Sequence, residues 1–185
     1  GTGLTSLVIP DSVTTIAEGA FWRCEQLTDV TIGSSVTSIG SQAFQESGVT
    51  SIVIPDSVTS IEYSAFNMCW LHDQAQVPWP DRPAAYSGMD GLEWSDFQWA
   101  NGHGLTDVVI GNGLTTVNGF SYDEGMTSIV FGNNVTSINC CDNAPLLTTV
   151  VIPSSVTSIG TGAFRFCPGL TSLEYCPNGD ASDCH

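Results

Sequence analysis

Leu4-Thr5-Ser6-Leu7-Val8-Ile9-Pro10 decides the architecture of this chain, because it comes back. It returns as Leu27-Thr28-Asp29-Val30-Thr31-Ile32-Gly33 and as Val49-Thr50-Ser51-Ile52-Val53-Ile54-Pro55. It recurs from Leu105, Met126 and Leu147, and starts once more at Leu170-Thr171-Ser172-Leu173. Successive starts lie 23, 22, 56, 21, 21 and 23 residues apart, so a single interval breaks the period. A period of ~20–29 residues carrying an L-x-x-L-x-L-like strand marks a leucine-rich solenoid, in which no unit buries its apolar side alone and stacking neighbours do it instead.

The first, fourth and sixth positions of a unit (Leu4, Leu7, Ile9) predict a short strand with one buried side. Pro10 or Gly33 ends it, since proline has no N–H to give a ladder, and Asp11-Ser12 or Ser34-Ser35 brings turn chemistry. A second apolar pair follows at Val13 and Ile16, Val36 and Ile39, Val58 and Ile61, and Val156 and Ile159. The residues between them, such as Thr14-Thr15 and Thr37-Ser38, are expected to face solvent as a ridge of hydroxyls. An Ala-Phe step closes the unit at Ala20-Phe21, Ala43-Phe44, Ala65-Phe66 and Ala163-Phe164. Stacked at ~4.8 Å per coil, these rings predict an internal phenylalanine spine. The units from Leu105 and Met126 carry Ser121-Tyr122 and Asp142-Asn143 at the matching offsets, so the spine is expected to lapse there.

Residues 4 to 24 resemble the repeat of BspA-like leucine-rich proteins, with the pattern L-T-S-I-x-I-P-x-S-V-T-S-I-x-x-x-A-F-x-x-C. The resemblance covers residues 4–70 and 105–175. It implies a curved, β-rich repeat solenoid with short helical turns, secreted or surface-displayed, in a family many of whose members act in adhesion or partner binding. The expected organisation is about six full repeats in one solenoid over 1–175, interrupted at about 71–104, with 176–185 as a C-terminal cap. Gly1-Thr2-Gly3 looks like the tail of a preceding coil, so further repeats or another chain are expected to cover that end.

Charge narrows the function. Nineteen acidic residues face three cations, Arg23, Arg82 and Arg165, with no lysine and a formal net charge of −16. That field repels phosphates and anionic headgroups, which excludes nucleic acid as a partner. With charged residues at 12% and apolar ones at 42%, the chain is a packed protein rather than an acidic disordered tail. No apolar run approaches the ~18 residues of a membrane span, so no membrane insertion by this segment is expected.

The interruption concentrates aromatic side chains. Trp79, Tyr86, Trp94 and Trp99 lie there among Pro78, Pro80, Pro83 and five acids. Trp and Tyr anchor interfaces because they bury large area at low entropic cost, so these four are the candidate partner-binding residues. The competing role is a private mini-core on the solenoid. Met89-Asp90-Gly91-Leu92-Glu93-Trp94 also reads as a degenerate strand.

Seven cysteines point to an oxidising compartment, with at least one left unpaired. Cys24, Cys69 and Cys167 share one repeat position; Cys24 and Cys69 are two coils, about 10 Å, apart and beyond disulfide reach. Cys176 and Cys184 are the candidate disulfide, in competition with Cys167. Vicinal Cys140-Cys141 is expected to point one sulfur inward and one outward. No catalytic motif is present, and His72, His103 and His185 read as solvated loop residues. No cofactor is expected; a structural calcium on loop Asp residues fits the chemistry better than zinc on His72, His103 and a carboxylate, although no D-x-[DN]-x-[DN]-G run occurs. Asn134-Val135-Thr136 is the one glycosylation sequon.

These features predict a non-catalytic extracellular or cell-surface interaction module that binds a protein or glycan partner through its strand face and the aromatic segment. The alternative is a structural segment of a longer surface stalk or filament, whose partners are other copies of itself.

Overall fold

The computed structural model describes residues 3–69 and 105–176. Each coil opens with a strand of the principal face: β1 (Ser6–Val8), β3 (Asp29–Thr31), β5 (Ser51–Ile54), β7 (Asp107–Ile110), β9 (Ser128–Val130), β11 (Thr149–Pro153) and β13 (Ser172–Cys176). Between them run two-residue strands: β2 (Thr15–Ile16), β4 (Ser38–Ile39), β6 (Ser60–Ile61), β8 (Thr116–Val117), β10 (Ser137–Ile138) and β12 (Ser158–Ile159). All pairings are parallel, in the sheets β1-β3, β5-β7-β9-β11-β13, β2-β4-β6 and β8-β10-β12, and β3 packs beside β5. Register follows the repeat. Ile52, Val108, Ile129 and Val150 lie side by side with their side chains buried, as do Ile16, Ile39 and Ile61 on the second face.

β5 pairs directly with β7, so the long interval of the sequence does not interrupt the stack. Cys69 and Leu105 occupy slots that Cys24 and Leu27 fill three residues apart, and the solenoid closes across them.

The third side of each coil is not helical, and no helix is present among the described residues. Ala20, Trp22 and Cys24 donate to carbonyls three residues back, while Gly19, Phe21 and Arg23 donate to Ser41, Ala43 and Gln45 of the next coil. Alternate N–H groups thus leave the coil, and an i→i−4 helix cannot form from the remainder. A left-handed residue two places after the spine position breaks the helical path as well: Arg23, Glu46, Met68, Tyr122, Asn143 and Phe166 all have φ between 55° and 63°.

The spine forms and runs further than the fixed offset implies. Phe21, Phe44, Phe66 and Phe120 stack with centroids 5.1, 5.1 and 4.9 Å apart and interplanar angles of 18°, 8° and 4°. Phe120 follows Leu105 by 15 residues, where Phe21 follows Leu4 by 17. Two residues are missing from the turn before it, so the ring arrives early and Ser121-Tyr122 falls past the spine. Cys141 follows Met126 by the same 15 residues, which places Cys140-Cys141 where other coils have Ala-Phe. Both cysteines are buried, at 1% and 0% exposure, so neither sulfur points outward.

The hydroxyl ridge bolts one coil to the next. Thr37, Thr59, Thr136 and Thr157 each donate from Oγ1 to the backbone carbonyl of the equivalent threonine one coil back, at 3.1–3.3 Å. Turn acids do similar work: Asp11 accepts from the Ser34 N–H at 2.7 Å and Asp56 from the Asn112 N–H at 2.6 Å.

Gly33 sits flat on the preceding turn. A Cβ there would lie 2.6 Å from the Ile9 carbonyl oxygen and 2.8 Å from that of Pro10, both backbone atoms that cannot swing away. Gly33→Ala is expected to cost about 1–3 kcal/mol by overpacking. Urea denaturation checks this, and an unchanged midpoint would contradict it.

Candidate interaction surface

The outward side of the principal sheet carries two columns set by strand alternation. One is Ser6, Asp29, Ser51, Asp107, Ser128, Thr149 and Ser172. The other is Val8, Thr31, Val53, Val109, Val130, Val151 and Glu174. Val8, Val53, Val109 and Val130 are 72%, 63%, 41% and 50% exposed, so an apolar stripe lies open to water along the stack.

The acids beside the stripe are held in place. Asp107 accepts from Thr106 Oγ1 at 2.9 Å and from Ser128 Oγ at 2.6 Å, and Asp29 accepts from Thr28 Oγ1 at 2.8 Å. Each carboxylate keeps acceptor capacity for a ligand donor. The two described arginines lie elsewhere, on the turn side. Arg23 pairs with Glu46 at 3.3 Å, and Arg165 pairs with Asp142 at 2.8 Å while its guanidinium lies 5.0 Å from the Phe166 ring centroid. The face therefore combines exposed valine with fixed negative charge and has no cation in either column.

The valine stripe was readable in Leu-Val-Ile, where the middle residue must point away from the core its neighbours enter. It gives named residues to the strand face, which together with the aromatic segment is where a partner is expected to bind. Trp79, Tyr86, Trp94 and Trp99 lie outside the described residues, as do the Met89–Trp94 strand, His72, His103 and His185. Cys176 ends β13, and its pairing with Cys184 likewise falls outside them. Asn134 is exposed on a turn, its Nδ2 donating to the Asn112 carbonyl at 2.8 Å.

The shared cysteine column is chemically quiet and buried except at Cys167, which is partly exposed. It reads Cys24, Ser47, Cys69, Asp123, Ala144 and Cys167, each three residues past its spine position. Ser47 Oγ lies 3.6 Å from Cys69 Sγ. Burial pushes the Cys69, Cys141 and Cys167 thiols up, with the Asp123 carboxyl adding to the first two, so none of these three is an activated nucleophile. Among the described residues no group of three His, Cys, Asp or Glu side chains could hold a metal ion, and no helix is long and apolar enough to cross a membrane.

Asp123 is the odd member of that column. In the preceding coils the N–H at this slot closes its own turn, Cys24 onto Phe21 and Ser47 onto Phe44. Cys69 instead donates to Asp123 Oδ1 at 3.0 Å, and Ser121 N–H donates to Asn67 Oδ1 at 3.0 Å in the opposite sense. Two side chains thereby fasten the coils on either side of the long interval.

Six copies of the BspA type leucine rich repeat region match residues 1–79 and 94–180. The chain belongs to the BspA-type leucine-rich repeat family. Among solved structures, this BspA-type chain is similar to the leucine rich repeat protein of T. pallidum, at 24% identity over 93% of this chain and 59% of that one, with a TM-score of 0.51. A leucine rich cell surface protein of Faecalibacterium prausnitzii A2-165 aligns at 24% identity over 97% of this chain and 61% of its own, with a TM-score of 0.37. The BspA-type chain thus spans about three-fifths of the length of either protein. No curated protein matches it.

Proposed function

We propose that this BspA-type solenoid is a non-catalytic extracellular or cell-surface module that binds a polypeptide presenting apolar and basic side chains. The observation that supports this reading is the exposed valine stripe flanked by the fixed carboxylates of Asp29 and Asp107. Exposed contiguous apolar surface marks interaction sites, and a rim of one charge sign selects a partner of the other. The aromatic residues Trp79, Tyr86, Trp94 and Trp99, in the segment that precedes β7 in sequence, are proposed as further anchors for the same partner.

The test is capture from native surface material, read by mass spectrometry. It uses the whole chain, a Val53→Thr/Val109→Thr/Val130→Thr variant, Trp94→Ala, and a chain lacking residues 73–100. Threonine already occupies this column at Thr31, so the triple variant is expected to fold. Capture is expected to fall at least tenfold in the triple variant, since losing three apolar contacts exceeds the ~1.4 kcal/mol that a tenfold change requires. It is expected to weaken in the other two as well. Equal capture by all four chains would sink the proposal. A captured glycan would replace the polypeptide as partner, and concentration-dependent growth in light scattering would favour assembly of copies.

A further inference from the structure

Cys140 and Cys141 are neighbours in sequence, and their sulfurs lie 2.6 Å apart in the core of the fifth coil. Nonbonded heavy atoms rest ~3.5–4.0 Å apart, whereas a disulfide spans ~2.05 Å, so this separation is nearer to a bond than to a contact. The pair stands in the one described coil whose spine position holds no phenylalanine. Its sulfurs occupy the core position that the ring of Phe120 fills in the coil before. Cys141 also has φ of 73°, a left-handed conformation that a small ring through the intervening peptide would lock. We propose that Cys140 and Cys141 form a vicinal disulfide that fills the gap in the aromatic spine.

The step balances with an external disulfide as oxidant. Each thiol gives up its hydrogen, the pair loses two electrons and two protons, one S–S bond forms, and the oxidant is reduced to two thiols. Both sulfurs are inaccessible in the finished stack, so the bond closes before the fifth coil docks and is afterwards shielded from reductants. Cys167 also reaches the pair, but its thiol donates to the Cys141 carbonyl at 3.1 Å. The ring encloses no intervening residue, so its effect comes from filling the core and fixing Cys141, not from shortening the unfolded chain.

The experiment refolds the whole chain with oxidised glutathione, blocks free thiols with iodoacetamide in denaturant, and cleaves before aspartate. This makes it independent of where the protein resides and of what it binds. Cleavage before Asp123 and Asp142 releases residues 123–141, which hold Cys140 and Cys141 and no other cysteine. The expected peptide is unalkylated and about 2 Da lighter than its dithiol form. It stays so after reductant is applied to the folded protein and takes up two alkyl groups when reductant is applied in denaturant. Cys167→Ser is expected to give the same peptide. A doubly alkylated peptide without reductant, or a crosslink to the peptide holding Cys167, would overturn the proposal.

Discussion

Truncating Phe66 to alanine is expected to destabilise the solenoid by about 3–5 kcal/mol, the usual cost of removing a fully buried ring. Phe66 is 0% exposed and stacks on two partners, Phe44 at 5.1 Å and Phe120 at 4.9 Å, so two ring pairs are lost together. Such pairs contribute about 0.5–1.5 kcal/mol each beyond the area they bury. Position magnifies the loss. In a solenoid, stability is a sum of unit and neighbour terms, and weakening one interface uncouples the units on either side. Phe66 lies at the joint where β5 meets β7, so the variant is expected to unfold in two urea transitions where the parent shows one. Phe21 is only partly buried and stacks on Phe44 alone, so Phe21→Ala should cost less and leave the transition single. A loss below about 1 kcal/mol at Phe66, or equal losses at both sites, would refute the neighbour-coupled spine.

The same spine marks how far the sequence could be read. Leu4, Leu7, Ile9, Val13 and Ile16 announced their slots because strand alternation is local, and every coil repeats it at constant offsets from its first leucine. The Phe slot was legible only where the turn before it kept its length. Coils four and five drop two residues there, and counting forward at 17 reached Tyr122 and Asn143 instead of Phe120 and Cys141. What restores the alignment is intercoil hydrogen bonding: Tyr122 N–H donates to the Asp142 carbonyl, as Arg23 N–H does to that of Gln45. A contact between chain segments more than twenty residues apart leaves no trace in local spacing. The expected helical turns failed for a related reason, since alternate N–H groups serve the next coil.

The candidate site divides the same way. The outward valines follow from alternation alone and were there to be read. The orientation of Asp29 and Asp107 was not, because it depends on hydroxyls at Thr28, Thr106 and Ser128 that look like ordinary strand residues. Asp123 was still less visible. In sequence it is one acid in Tyr-Asp-Glu-Gly, apparently a solvated turn. Only the stack reveals it in a buried column, bonded to the Cys69 N–H, whose counterparts at Cys24 and Ser47 close their own turns.

That burial gives the second large effect, a dependence of stability on pH that runs opposite to ordinary acid denaturation. Asp123 is 1% exposed, its Oδ2 has no hydrogen-bond partner, and the groups facing it are the sulfurs of Cys69 and Cys141 and a backbone N–H. Desolvation raises its carboxyl well above the usual carboxylate range, and the Cys69 N–H only partly offsets this. The folded protein therefore keeps a proton that the unfolded chain releases. With one more proton bound when folded, stability falls as pH rises, by about 1.4 kcal/mol per unit. The window opens at the unfolded carboxyl's pKa near ~4 and closes at the raised folded value. Glu124, exposed but also raised by partial desolvation, adds a slope of the same sign, so the comparison must be between variants. Asp123→Asn keeps an oxygen for the Cys69 N–H and removes the titration. It is expected to flatten the profile by about 1.4 kcal/mol per pH unit above pH ~4, a tenfold change in the folding equilibrium for each unit. Asp123→Ala also abolishes the titration but orphans the Cys69 N–H, and should lie below the Asn variant by about 1–3 kcal/mol at every pH. Urea unfolding of the three proteins from pH 4 to 8 decides it: parallel profiles for parent and Asn variant would mean that Asp123 is ionised in the folded core and that a counter-charge there compensates it.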